Sequence, residues 1–382
     1  MEMQYGRDPN ASADERAVVA GGKYRITVLT ERMVRIEYSP SGAFVDQQTQ
    51  TVLNRRFPVP AFRVSDKGSS IEVTTSHLIV TYEKDKPFSA STLNIQMIGN
   101  PYLRKSGTWF YGDKGLESMG NMKGTASTLD NAVGYMYYRD SQDETKVWGE
   151  PDRPVELCEG LMSKNGFAVI DDSASLVFDE DGWVHPAPEG HQDIYFLNYG
   201  RDYLGVLDVF YRLTGKTPIL PRYALGNWWS RFHKYTQKEY LALLDRFRAE
   251  GIPISVGVLD MDWHTVDIDP KYGKGWTGYT WNRELFPDPA GMIRKIHEDG
   301  MHFSLNVHPA DGVRAHEEAY TAMAEALGVD AEHEAPIPFD VTDPAFMKAY
   351  FKYLHHPHEE MGVDFWWIDW QQGGNARIPG YD

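Results

Sequence analysis

Ten residues, DFWWIDWQQG at 364–373, place one carboxylate, Asp369, among Trp366, Trp367 and Trp370 and beside two glutamines. A carboxylate held among flat apolar rings suits glycosyl transfer: the acid traps an oxocarbenium-like centre while indole faces bind the sugar. The same residues would also serve as a turn cap with core tryptophans around it. A second acidic stretch, LDMDWHTVD at 259–267, sets Asp260 and Asp262 at i and i+2, one face of an extended backbone. Such a pair could hold sugar hydroxyls, act as acid and base, or bind a divalent cation. Asn306 and His308 have the same spacing in HFSLNVHP, 302–309. A structural histidine is the commoner role for any one such residue.

Other candidates carry less chemistry. In HHPHEE (355–360) three histidines lie close together, but Pro357 interrupts the helical period that would align them, and nothing completes a zinc set. KYGKGWTGYTW (271–281) has glycines without a G-x-G-x-x-G that follows a strand and opens a helix, which argues against a nucleotide loop. It reads as a mobile loop over a pocket mouth, with Trp276, Tyr279 and Trp281 available to touch a ligand. No metal and no cofactor are expected.

Two kinds of element must position these groups. Residues 1–215 show short β-rich runs, among them YRITVLT, MVRIEYS, SIEVTTS, HLIVTYE, FAVIDDS and DIYFLNYG, which predict an antiparallel β-sandwich domain. Residues 216–382 change rhythm, with apolar strands alternating with amphipathic helices. The strand candidates are ALGNWW (224–229), ISVGVLDMDW (254–263), HFSLNVHP and DFWWIDW (364–370). Thr236 with Glu239 predicts a capping box, and Asp288-Pro289 and Asp343-Pro344 predict two further helix starts, the last helix running towards Gly362. This alternation implies a parallel sheet with reactive groups at the strands' carboxyl ends, as in a (β/α)8 barrel or an open doubly wound sheet. There is room for only about four strands of a TIM-type barrel.

Composition narrows the partners. The chain has 382 residues with 38 Lys and Arg against 55 Asp and Glu, a formal charge of −17, which argues against nucleic acid. No apolar run approaches 18 residues and no signal-like segment opens the chain, so no membrane span and a cytoplasmic home are expected; a trimmed export signal would leave no trace. Cys158, the single cysteine, reads as a small buried hydrophobe.

Taken in order, GLMSKNGFAVIDDS, LPRYALGNWWSR, DMDW, YTWNRELFPDP and WWIDWQQG resemble glycoside hydrolase family 31 from about residue 20 onward. That resemblance implies a retaining, exo-acting α-glycosidase with an N-terminal β-sandwich and a (β/α)8 catalytic barrel. Asp369 would be the nucleophile, Asp260 would hold hydroxyls of the innermost sugar, and Trp367 would line that subsite. Asn306, His308 and Trp370 would belong to the pocket, and Arg231, Phe232 and His233 to its entrance. Many members read Trp-x-Asp-Met-Asn-Glu where this chain has Trp367-Ile368-Asp369-Trp370-Gln371-Gln372. The change removes a negative charge and leaves glucose, xylose, galactose and N-acetylgalactosamine open. The family's acid/base lies on a later strand, about 5 to 5.5 Å from the nucleophile in a retaining site. The chain stops before such a strand, so the expectation is either a fragment of a longer protein or a second chain or homo-oligomer that completes or covers the half-barrel. The alternatives are a non-catalytic carbohydrate-binding protein and a metal-dependent isomerase or aldolase barrel using Asp260, Asp262 and His308.

Overall fold

The alternating runs of the first half become two antiparallel sheets. The computed structural model describes residues 10–100, 107–115, 120–124 and 157–369, together with the backbone of 138–139 and 147–148. Two units divide the chain, Met1–Thr217 and Pro218–Asp382. The first contains β1 (Val18–Ala20), β2 (Tyr24–Thr30), β3 (Met33–Tyr38), β4 (Arg63–Asp66), β5 (Ser70–Thr74), β6 (Leu78–Glu83), β7 (Leu93–Met97) and β8 (Thr108–Phe110). Short ribbons β9 (Tyr138–Arg139) with β10 (Val147–Trp148) and β12 (Val177–Phe178) with β13 (Val184–His185) flank β11 (Phe167–Asp171); β14 (Gln192–Asn198) closes the set. The orders are β1-β2-β3-β14-β11 in one sheet and β4-β5-β6-β7-β8 in the other.

Period-two burial explains why the sheets stack. Ile26, Val28, Val34 and Ile36 from one sheet share a core with Ile71, Val73, Val80 and Ile95 from the other, so the two faces form a sandwich. The opposite face of the first sheet, with Leu29, Met33, Tyr195 and Leu197, is covered by α1 (Tyr203–Thr214) through Val206, Val209 and Leu213. This helix corrects the reading of the region as strands throughout. Its signals were an Asp202 cap, whose carboxylate accepts from the Gly205 amide, and apolar residues at helical spacing. Cys158 is exposed, not buried, on the segment before β11.

Within the sandwich, Arg35 is held by Asp193 at 2.6 Å and Glu37 at 3.0 Å, while Arg25 binds Glu37 at 2.5 Å. Glu37, His191 and Asp193 bring ligand-type atoms within 4.8 Å of one another, the one such grouping among the described residues. The two guanidinium groups already occupy these carboxylates, so the cluster is a buried ion network and a poor cation site.

The second unit has one sheet, β15 (Trp228–Trp229), β16 (Val256–Leu259), β17 (His302–Val307) and β18 (Phe365–Ile368), parallel throughout and in sequence order. Helix α2 (Gln237–Ala249) joins β15 to β16, α3 (Pro289–Glu298) joins β16 to β17, and α4 (Tyr320–Leu327), α5 (Pro344–Tyr350) and α6 (His356–Met361) lie before β18. The capping box at Thr236 and Glu239 and the Asp288 and Asp343 caps all form. A π-helical turn, Phe351–His355, joins α5 to α6. Leu259, Phe303, Leu305 and Val307 face the helices and share their core. Gly257 belongs to this face: a Cβ there would meet the Tyr240 hydroxyl at 2.7 Å, so glycine lets α2 press onto the sheet, where that hydroxyl donates to the Val258 carbonyl at 3.1 Å.

The other face is concave. Trp228 and Phe365 lie on the two outer strands, about 14 Å apart in a flat sheet at ~4.8 Å per strand, yet their ring centroids are 5.1 Å apart. Tyr223 stacks on His302 at 3.7 Å and closes the amino-terminal end of this face. Among the described residues the strands curve without closing into a barrel.

Candidate active site

Each of the last three strands delivers a polar residue as it ends: Asp260 after β16, His308 after β17 and Asp369 after β18. The β17–β18 register pairs Val307 with Ile368, and the Asp369 amide donates to the Val307 carbonyl at 3.0 Å, so His308 and Asp369 stand side by side. Asn306, one step back on the same face, donates its side-chain N–H to Asp369 Oδ2 at 2.9 Å. His308 Nε2 lies 3.5 Å from the same oxygen. Asn306 and His308 are buried, whereas the Asp369 side chain is 26% exposed. The sheet therefore offers one accessible carboxylate on a buried polar base.

Electrostatics tie Asp260 to the same place. Burial raises its carboxyl above the usual range; the Met261 amide, which donates to Asp260 Oδ1 at 2.7 Å, opposes this, and the charge of Asp369 raises it further. Burial likewise lowers His308, and the negative charges of Asp369 and Asp260 offset only part of it, so the ring is neutral at pH 7. A pocket with two carboxylates and a neutral imidazole can attack or hold a polyol, and it does not favour an anionic ligand.

Several expectations need correction. Asp262 does not share a strand face with Asp260: β16 ends at Leu259, and Asp260 caps a 3-10 turn, Met261–Trp263, that carries Asp262. Asp260, Asp262 and His308 do not form a metal-holding group. The 271–281 stretch is packed, not a loose cover. Trp276 stands edge-on to the His308 ring at 5.4 Å, the Thr277 hydroxyl donates to the His308 carbonyl, and Tyr279 and Trp281 are core residues. In HHPHEE, His355 and His358 are buried while His356 is exposed. His358 accepts from the Trp281 indole at 3.0 Å and bonds the Tyr279 carbonyl through Nε2 at 2.9 Å, so it is spent on packing.

The remaining candidates divide. Trp367 pairs with Asn306 in register and so lies on the concave face, half-buried. Arg231 is exposed on the segment after β15. Trp370 lies outside the described residues. Two residues that sequence reasoning missed support the site: Trp263, whose indole N–H donates to the Asn306 carbonyl at 2.7 Å, and Thr277. The signal for Trp263 was its place in DMDW, since a core indole must find an acceptor.

Parallel strands with helical crossovers and acids at their carboxyl ends fit part of a TIM-type barrel or an open doubly wound sheet. Residues 217–379 match the profile of the glycosyl hydrolases family 31 TIM-barrel domain. Over these residues the chain is similar to glycoside hydrolase family 31. It is 27% identical to an α-xylosidase of Saccharolobus solfataricus over 46% of this chain and 22% of that protein. It is 28% identical to the α-xylosidase XylQ of Lactiplantibacillus pentosus over 39% of this chain and 19% of that protein. A family 31 dextranase of Flavobacterium johnsoniae, solved with glucose, superposes with a TM-score of 0.55 at 18% identity, covering 92% of this chain and 46% of that one. A soil-metagenome α-xylosidase solved with xylose gives 0.54 at 15% identity, covering 92% and 57%. These two structures share the fold; the chain spans about a fifth of the two curated α-xylosidases.

Proposed function

We propose that this chain carries the nucleophile side of a retaining, exo-acting α-glycosidase, with its four parallel strands forming the first half of a (β/α)8 barrel. The observation that carries the reading is the Asp369 carboxylate, accessible and held through one oxygen by Asn306 at 2.9 Å on the neighbouring strand. Asp369 attacks the anomeric carbon as the glycosidic C–O bond breaks and the departing oxygen takes a proton from the general acid. Water then hydrolyses the resulting glycosyl ester, releasing the sugar and the free carboxylate. Asp260 accepts hydrogen bonds from hydroxyls of the sugar, Trp367 offers its ring face, and Asn306 and His308 keep Asp369 aimed. Trp370 would wall the pocket and Arg231 its entrance. The general acid/base comes from outside the described residues, on a later strand or another chain. The α-xylosidases and the α-glucosidases among the relatives support an α-linked terminal sugar as substrate.

The test uses a leaving group that needs no proton donor. A fluoro-sugar fluoride that turns over slowly should add one glycosyl mass to the peptide containing Asp369, and Asp369→Asn should abolish the label while sugar binding persists. Binding without labelling in the unmodified protein would favour a carbohydrate-binding role. Labelling of another carboxylate would overturn the nucleophile assignment.

A further inference from the structure

The concave face of β17 carries a file of polar side chains whose hydrogen bonds do not close among the described residues. Ser304, Asn306 and His308 alternate along the strand on this face and are all buried. Among the described residues, Ser304 Oγ, Asn306 Oδ1 and His308 Nδ1 each lack a hydrogen-bond partner. The register shows why for Ser304: its neighbours are Val258 on β16 and Phe365 on β18, so neither adjoining strand presents a polar group. Asn306 spends its amide N–H on Asp369, and His308 turns Nε2 to the same carboxylate. Their other polar atoms point elsewhere.

A buried hydroxyl, amide or imidazole left without a partner is costly, and folded proteins satisfy almost all such groups, often with internal water. Residues i and i+2 on a strand are about 6.6 Å apart, a gap that one water spans with two hydrogen bonds of about 2.8 Å. We propose that β17 holds internal water beneath the Asp369 carboxylate, one molecule bridging Ser304 to Asn306 and a second bridging Asn306 to His308.

Hydrogen counting gives the file a direction. Ser304 donates to the first water, which donates to Asn306 Oδ1. The second water donates one hydrogen to that oxygen and the other to His308 Nδ1. An accepting Nδ1 places the ring hydrogen on Nε2, the tautomer that donates to Asp369. The acceptor-only carboxylate facing Nε2 calls for this same tautomer, so the water file supports the donor it needs, and Ser304 becomes a positioning residue acting through Asn306 and His308.

Ser304→Ala tests the inference by sign. If the hydroxyl were merely orphaned, its removal would relieve a desolvation cost and raise the urea midpoint. If it anchors water, removal strands that water and lowers the midpoint. The expected result is a lowered midpoint, with long-lived water-to-Ser304 nuclear Overhauser effects in the unmodified protein that vanish in the variant. Imidazole 15N shifts should show the Nε2–H tautomer of His308. An unchanged or raised midpoint, absence of the water signals, or an Nδ1–H tautomer would overturn the proposal. None of these readouts needs turnover, so a failure of the Asp369 labelling test would sink the functional reading and leave this test intact.

Discussion

Asp369 is held by a second layer of bonds as much as by its direct neighbours. Asn306 and His308 reach its carboxylate only because their own backbone carbonyls are fixed, the first by the Trp263 indole at 2.7 Å and the second by the Thr277 hydroxyl. Replacing Trp263 by Phe keeps most of the ring volume but leaves a buried carbonyl without its donor, which should lower unfolding stability by about 1–3 kcal/mol. Urea denaturation followed by fluorescence checks this; an unchanged midpoint would mean that the bond contributes nothing net. The site's direct members were legible because period two places Asn306 and His308 on one face and strand-end acids stand out. Trp263 was not, because its acceptor lies 43 residues away and only the parallel register brings the two together.

Helix starts were the most readable elements, since caps are local chemistry. Thr236 accepts from the Glu239 amide at 3.2 Å, and the Glu239 carboxylate accepts from the Thr236 amide at 2.9 Å. Thr236→Ala should therefore cost about 1 kcal/mol, measured as a shift in the unfolding midpoint, and Thr236→Ser should restore most of it. Interruptions were less readable. The Asp343-Pro344 signal gave the start of the last helix correctly, yet the π turn at Phe351–His355 follows from packing that no local pattern announces: His355 is drawn inward against Trp366, centroids 4.2 Å apart. β15 shrinks to two residues for a similar reason, because a 3-10 turn, Arg222–Leu225, takes up part of its expected length and sets Tyr223 against His302. α1 was hidden by the β-rich sequence around it.

Across the whole molecule the two units bury different titratable groups, so acid should act on them at different pH. In the sandwich, burial alone would raise Glu37, but Arg35, His191 and Arg25 outweigh it and bring its carboxyl down to about 2. The unfolded chain then binds this proton first, and stability is lost as pH falls from the usual carboxylate range, about 4.3, towards about 2. In the α/β unit, burial lowers His264 to about 4, and burial with the neighbouring His358 and His356 lowers His355 to about 3. An unfolded histidine protonates near about 6.5, so this unit loses stability as pH drops from there towards 4 and 3. The charge of −17 works the other way, since partial neutralisation eases repulsion, but it does so in both units and leaves the difference standing. Eight of the eleven tryptophans lie beyond residue 217, so indole fluorescence reports mainly the α/β unit. It should change at higher pH than the far-ultraviolet signal of the strands. His264→Gln should flatten only the upper arm and Glu37→Gln only the lower. Coincident transitions that respond to both substitutions would mean instead that the units unfold as one cooperative body, with the earlier histidine titration setting the pH for the whole chain.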